Sequence, residues 1–289
     1  MHVVEVPLGL FVTVAIRTVE HHLAGATLSF LIDLPEDGVT VSGVADVTYS
    51  VIFGQFGMAA LFVGVVIGIK FIAKTSMKDF ILGVGGKVNR KESLTVLGFY
   101  TLGFVLSYVL VAQNIRVRSV NAGEYAVLIL LMVATTWMQT TVEELIFRGV
   151  FIRWACKNEV GFTKKAMIGA AISSVLFALM HAPNPEVTTQ SGIRIFIGLV
   201  NYAIPGLLMY IADLYFGSLL PGILIHWVNN FLLSTVIASE VTVIPSPTPL
   251  LDTTPHNAEL VLIGTLVVYA PLMVYIILDA RKKKAASAC

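Results

Sequence analysis

The sequence predicts an all-α protein, a polytopic bundle of about eight transmembrane helices. Of its 289 residues, 56% are hydrophobic and only 13% are charged, and the mean hydropathy is +0.85. Soluble proteins carry about 25% charged residues, roughly twice this fraction. The apolar residues also form long stretches, and each membrane crossing needs about 20 of them. Hydropathy therefore indicates one membrane bundle and not one or two soluble domains.

Eight stretches are apolar enough to be predicted spans, and two segments between them are predicted to be exposed loops. The first span is the weakest, because Arg17 and Glu20 lie at its end. Residues 33–48 form one predicted loop, and residues 240–258 form another, in which several prolines exclude a regular helix. No internal repeat or linker divides the chain, so we expect one membrane-embedded domain over residues 1–289. The predicted spans are 3–20, 51–73, 94–113, 124–154, 165–182, 193–214, 218–238 and 259–279.

Basic residues cluster in three places, and they predict the orientation of the chain. They surround the second connection (70–91) and the fourth (153–165), and they follow the last span (281–284). Short loops rich in Lys and Arg stay on the cytoplasmic side of a membrane. Eight spans place all three clusters on that side, with both termini inside. The net charge is only +1 without a long basic run, so we expect no nucleic-acid partner.

Charged residues late in the fourth span carry the first functional signal. Glu143, Glu144 and Arg148 lie within six residues of one apolar helix. A charge at the centre of a membrane helix costs about 2.5–3.5 kcal/mol, so such residues pair, meet water or take part in chemistry. Glu144 and Arg148 are four residues apart and can neutralise each other on one helix face. Glu143 is turned about 100° away and has no obvious partner in its own helix.

Two further segments place polar residues in the following helices. Phe177 and His181 are four apart at the end of the fifth span, and His226 and Asn230 are four apart inside the seventh. Residues at this spacing share a helix face, so His226 and Asn230 can point together into one cavity. A carboxylate, two histidines and an amide are the material for general-base catalysis and oxyanion stabilisation.

Each residue also has a simpler structural interpretation. Glu144 with Arg148 is most simply an ion pair, and Phe177 is most simply a packing residue beside His181. A lone membrane histidine usually makes a structural hydrogen bond. Asn230 or its neighbour Asn229 would ordinarily connect helices through hydrogen bonds. The functional hypothesis therefore depends on the joint occurrence of these residues in three helices.

The three segments resemble the signature of the CAAX prenyl endopeptidase family, also called the CAAX protease and bacteriocin-processing family. Its members carry Glu-Glu-x-x-x-Arg, Phe-x-x-x-His and His-x-x-x-Asn on successive membrane helices. All three motifs occur here in the same order and spacing, beginning at Glu143, Phe177 and His226. They span residues 143–230. Outside this segment, the chain resembles the family only in its hydropathy.

The resemblance implies an intramembrane endopeptidase of the glutamic type, without metal or cofactor. Its best-known branch removes the last three residues from proteins whose carboxy-terminal CAAX cysteine carries a farnesyl or geranylgeranyl chain. Its partners would be a prenylated CAAX peptide or protein and the membrane lipid. Glu143 would activate water with help from His181, and His226 and Asn230 would stabilise the oxyanion. The remaining motif residues would support the site: Glu144, Arg148 and Phe177.

For location, the resemblance implies a multi-pass protein of the cell membrane in a prokaryote, or of the endoplasmic reticulum membrane in a eukaryote. The membrane face to which the site opens is left undecided. Glu143 and His181 lie about 15 to 20 residues from the connection at 158–163, or roughly 20–30 Å at helical rise. If that connection is cytoplasmic, the site lies at mid-membrane or beyond.

Four alternatives remain at this stage. A member of the same family could process bacteriocin-like peptides. Two histidines and a carboxylate could bind zinc, although no His-Glu-x-x-His segment is present. The chain could also be a non-enzymatic scaffold, or a transporter that uses the same charges as a proton relay. Transporters of that kind usually show paired interrupted helices, which are not evident here.

Overall fold

A computed structural model describes residues 44–83, 86–111, 115–117, 119–156, 162–239, 248–252 and 258–286. The predicted span 3–20 and residues 33–43 of the first predicted loop lie outside these described residues. Most of the described chain is helical, which confirms the predicted all-α class.

The described helices follow one another along the chain, and one stretch of π-helix, Leu145–Gly149, joins two of them into a continuous rod. Their bounds are α1 Val44–Phe71, α2 Met77–Leu82, α3 Arg90–Val111, α4 Ala122–Glu144, α5 Val150–Ala155, α6 Lys164–Met180, α7 Pro185–Thr188, α8 Ile193–Phe216, α9 Leu220–Thr235 and α10 Ala258–Ala286.

Four helical stretches of the described chain are long and apolar enough to cross a membrane, and a fifth, shorter apolar stretch covers Gly57–Phe71. Each predicted span from 51–73 onward overlaps a helix. However, α6 and α9 are only 17 and 16 residues long. The total of eight spans therefore stays a prediction. The four long stretches are Arg90–Leu110, Ala122–Ala155, Ile193–Phe216 and Ala258–Ala286.

At two places the structure has a different type of backbone from the one predicted. Helix α1 begins at Val44, so residues 44–48, predicted to be loop, are helical. Helix α9 ends at Thr235, and Ile237–Ser239 then forms a strand, β2. With β1 (Ile115–Val117) and β3 (Leu250–Asp252) it makes a small sheet in the order β1-β3-β2. Strand β3 is antiparallel to β1 and parallel to β2, an arrangement that pairs backbone groups between distant connections.

The distribution of side chains is that of a membrane protein. Large apolar residues face outward on several helices, for example Val109, Leu130 and Phe196. The acidic and basic residues of the motif, Glu144 and Arg148 among them, are buried in the interior. Apolar surface meets lipid favourably, while charged groups at membrane depth face the bundle interior and pair there.

Helices α3 and α10 pack tightly because of one glycine. A β-carbon at Gly103 would lie 1.9 Å from the carbonyl oxygen of Val268, so the two backbones touch at this point. Small residues permit such close approach between membrane helices. Tyr100 and Leu272, both fully buried, belong to the apolar cluster that lines this contact.

We expect Gly103→Ala to lower the melting temperature of the detergent-solubilised protein, because the added methyl group must push α10 away from α3. A loss of at least about 3 °C is expected, since one kcal/mol shifts the melting temperature of a domain of this size by roughly 2–4 °C. Gly98→Ala on the same helix is the matched control, because its β-carbon meets nothing within 4 Å. Equal melting temperatures for the two variants would contradict the close contact.

Candidate active site

The charged motif lies at the end of α4 and in the π-helix that follows. Every residue from 140 to 149 is buried, because α1, α6 and α9 pack around this part of the rod. The amide of Val150 donates to the carbonyl of Leu145, five residues earlier. This widens the turn relative to an α-helix, and π-helical turns are frequent at functional sites. The motif is therefore enclosed by helices on all sides.

The carboxylate of Glu144 joins two helices. Its Oε1 lies 3.1 Å from Nη1 of Arg148 and 2.7 Å from Nδ1 of His226. Glu144 and Arg148 are completely buried, and His226 is nearly so. The predicted Glu144–Arg148 pair is present, and the same oxygen also contacts a histidine of α9. Removing one partner from a buried group of this kind leaves an uncompensated charge, which costs about 3–5 kcal/mol.

Glu143 approaches the same imidazole from its other side. Its Oε2 lies 3.7 Å from Nε2 of His226, and its Oε1 accepts a hydrogen bond of 3.3 Å from the side-chain amide of Gln139. The expectation that Glu143 lacks a partner in its own helix is therefore wrong. Gln139 precedes it by four residues, the spacing at which helical side chains meet. The two adjacent carboxylates thus face the two nitrogens of one histidine ring.

The guanidinium of Arg148 lies over an aromatic ring of the next helix. Its Cζ is 4.2 Å from the centroid of Phe177, close enough for a cation–π interaction. On another side it abuts α8, where a β-carbon at Gly206 would lie 3.2 Å from Nη2. Arg148 therefore fills a slot that the glycine leaves open, and it ties the rod to α6 and α8.

Phe177 contacts both histidines. Its ring centroid lies 4.4 Å from that of His181 and 5.8 Å from that of His226. The sequence predicted only a packing role beside His181. The structure instead shows a fully enclosed phenyl ring around which Arg148 and the two histidines are grouped. The residues of all three motifs thus converge at one place in the bundle.

The position of His181 follows from the end of α6. The last four carbonyls of a helix lack partners within it, and the Nδ1 of His181 lies 2.7 Å from one of them, the carbonyl of Phe177. A carbonyl oxygen can only accept, so Nδ1 carries the hydrogen in this contact. In the neutral ring the lone pair then resides on Nε2, the atom that can receive a proton.

Tyr202 of α8 stacks on the ring of His181. The two rings stack with centroids 4.4 Å apart and an angle of 22° between their planes. The side-chain amide of Asn184 donates to the Tyr202 hydroxyl at 3.0 Å. The ring of His181 therefore contacts the rings of both Phe177 and Tyr202. Tyr202 was not predicted, and nothing in its local sequence indicates this contact, because it comes from a separate helix.

Asp213 is a second residue that sequence reasoning missed. It is fully buried near the end of α8, and its Oδ1 accepts a hydrogen bond of 2.7 Å from the amide of Gly222, in the first turn of α9. The N-cap of α9, Leu219, has no side chain that could do this. A carboxylate at a helix N-terminus satisfies an orphan amide and complements the helix dipole. Asp213 thus anchors the helix that carries His226.

Asn230 lies one turn after His226 on α9 and is partly exposed. Its Oδ1 accepts a hydrogen bond of 3.1 Å from the side-chain amide of Asn229. Asn229 in turn accepts a hydrogen bond of 2.7 Å from the hydroxyl of Tyr100 on α3. The prediction that Asn229 joins helices agrees with this contact between α9 and α3.

The arrangement can support proton transfer and charge stabilisation. It supplies two carboxylates, a histidine whose Nδ1 is bound to the carbonyl of Phe177, and the side chains of His226 and Asn230 on α9. Among the described residues, no three or more His, Cys, Asp or Glu side chains are grouped in a way that could hold a metal ion.

The fold and the site define a class: a helical membrane protein with a carboxylate–histidine centre inside its bundle. Residues 125–232 match the family model described as type II CAAX prenyl endopeptidase, Rce1-like. The matched segment is less than half of the chain, and it contains all three motifs. No curated protein and no solved structure matches the chain.

Asp213→Ala is expected to lower the melting temperature, because the first turn of α9 loses its buried acceptor. A cap of this kind contributes about 0.5–2 kcal/mol, and more when the orphan amide is buried. Asp213→Asn keeps an acceptor oxygen and should retain most of the stability. Thermal unfolding in detergent gives the comparison, and an alanine variant as stable as the asparagine variant would contradict the capping role.

Proposed function

We propose that this chain is a CAAX prenyl endopeptidase that removes the carboxy-terminal tripeptide of prenylated CAAX proteins by glutamate-activated water. The family domain supports a CAAX-type intramembrane protease in general. The glutamate mechanism is supported by a buried cluster. In it, Glu143 and Glu144 lie 3.7 Å and 2.7 Å from the same histidine, His226.

In the proposed reaction, Glu143 is the general base. It accepts a proton from a water molecule while the water oxygen attacks the scissile carbonyl carbon. His181, with Nδ1 bound to the carbonyl of Phe177, turns its Nε2 side to the same water and helps to orient it. The proton then moves to the leaving amine nitrogen as the C–N bond breaks. General-base catalysis of this type contributes about 10²–10⁴-fold to a rate.

The negative charge that develops on the carbonyl oxygen requires donors. The Nδ1 of His226 already contacts the Glu144 carboxylate. His226 can therefore donate to the oxyanion through Nε2–H when its ring is doubly protonated. The side-chain amide of Asn230 would supply a second donor. Fixed donors in a water-poor site cost no reorganisation during the reaction, and losing one costs about 10²–10³ in kcat.

A lipid-linked substrate fits a site enclosed by membrane helices. Large apolar side chains cover the outward faces of α3, α4 and α8, so a prenyl chain can stay in lipid while its peptide enters the bundle. Each buried methylene of such a chain contributes about 0.8 kcal/mol. The substrate would thus reach the site from the membrane and not from bulk water.

Replacing Glu143 by Gln should reduce cleavage of a farnesylated CAAX peptide by at least about 10²-fold, because the amide cannot accept the proton from water. The assay uses purified protein in detergent and a peptide with a quencher on its last residue. Glu124→Gln is the matched control, since Glu124 is an exposed acid in the first turn of the same helix.

An arm with the chelator o-phenanthroline tests for metal dependence. Cleavage before the last three residues that is lost in Glu143→Gln and indifferent to chelator supports the glutamic mechanism. Loss with chelator and recovery with zinc would overturn it. No cleavage of farnesylated or geranylgeranylated peptides, with wild type equal to Glu143→Gln, would overturn the substrate class.

Tyr202→Ala is expected to lower kcat by about tenfold, because the imidazole of His181 loses the ring that stacks on it and can rotate out of position. Tyr202→Phe keeps the stacked ring and should retain most of the activity. Steady-state kinetics on the same peptide separates the two variants. Equal losses in both would show that the hydroxyl, and not the stacking, matters.

A further inference from the structure

The side chain of Asn230 is held by a chain of two hydrogen bonds that begins outside the family domain. The hydroxyl of Tyr100 donates to Oδ1 of Asn229 at 2.7 Å, and Nδ2 of Asn229 donates to Oδ1 of Asn230 at 3.1 Å. Tyr100 belongs to α3, whereas the matched family domain begins at residue 125. The last helix before the domain thus contributes a polar contact to its third motif.

The direction of these hydrogen bonds sets the orientation of the Asn230 amide. Asn229 accepts from Tyr100 and therefore offers its NH₂ group to Asn230. The carbonyl of Asn230 is thereby used as an acceptor, and its NH₂ group is directed away from Asn229. Among the described residues, that NH₂ group makes no further hydrogen bond. The opposite arrangement would direct a carbonyl oxygen toward any developing negative charge, which would repel it.

Tyr100 is suited to fix this direction because its ring is immobile. The side chain is fully buried, and the ring of Tyr269 packs edge-on against it at 5.5 Å. The apolar cluster between α3, α8 and α10 encloses both tyrosines. A phenol has a single proton to donate, and here the hydroxyl of Tyr100 donates it to Asn229 at 2.7 Å.

We propose that Tyr100 and Asn229 are positioning residues that aim the Asn230 amide at the substrate oxyanion. This inference rests on the proposed function, because it gives Asn230 a donor role in catalysis. It makes Tyr100, a residue of helix α3 outside the three motifs, necessary for full activity.

The kinetic test compares Tyr100→Phe with wild type on the farnesylated CAAX peptide. We expect kcat to fall by about five- to tenfold, the factor associated with one neutral hydrogen bond, while KM stays the same. Asn229→Asp should cost more, because an oxygen replaces the donor toward Asn230. Tyr275→Phe is the matched control, since Tyr275 lies in the same helix interface, stacks on Phe99 and makes no hydrogen bond to a described residue through its hydroxyl.

A double-mutant cycle distinguishes positioning from general stability. If Tyr100 acts through Asn230, then Tyr100→Phe should have no further effect on kcat in an Asn230→Ala background. Independent, multiplicative losses in the two variants would overturn the proposal. So would a kcat for Tyr100→Phe equal to that of Tyr275→Phe.

A spectroscopic readout keeps the inference separate from the proposed function. With selective ¹⁵N-asparagine labelling, the side-chain amide signal of Asn230 is identified by its absence in Asn230→Ala. We expect Tyr100→Phe to shift or broaden this signal, and Tyr275→Phe to leave it unchanged. If the wild type cleaves no prenylated peptide, the proposed function fails, and the amide signal still decides whether Tyr100 orients Asn230. An unchanged signal in Tyr100→Phe would overturn the inference.

Discussion

The Glu144 carboxylate is the interaction on which the rest of the site depends. One oxygen binds both Arg148, four residues along the same rod, and His226 of α9. Because the group is fully buried, each partner is needed to offset the cost of removing the carboxylate from water. Arg148 can then lie over Phe177, and the phenyl ring in turn contacts both histidines. The single buried carboxylate of Glu144 therefore connects, directly or through Arg148 and Phe177, the helices that carry the three motifs.

Two helix ends at the site impose the second constraint. Backbone groups at such ends lack partners, and lipid offers none. The structure satisfies them with side chains at the site: His181 binds a carbonyl at the end of α6, and Asp213 binds an amide at the start of α9. Gly222 leaves room for the Asp213 carboxylate, because a β-carbon there would lie 2.7 Å from Oδ2 of Asp213. The side chains that satisfy these two helix ends therefore also help to position the site.

The hydrogen bonds of the site also extend beyond the segment that matches the family model. Residues 125–232 hold the motifs, while Tyr100 of α3 reaches Asn229 from outside it. Gly103, one turn further along α3, brings that helix against α10. The packing of the flanking helices is therefore linked to the orientation of a motif side chain, which hydropathy alone did not indicate.

The sequence by itself determined the helical membrane class, the three motifs and the Glu144–Arg148 pair, because these depend on local composition and on the 3.6-residue period of a helix. The Gln139–Glu143 contact has the same four-residue spacing and could have been predicted. Only the tertiary structure decided which carboxylate contacts which nitrogen of His226, that Tyr202 stacks on His181, and that Tyr100 reaches Asn229. These contacts join residues as far as 82 and 129 positions apart. Their geometry is set by how helices cross and rotate against one another, and no local pattern encodes that.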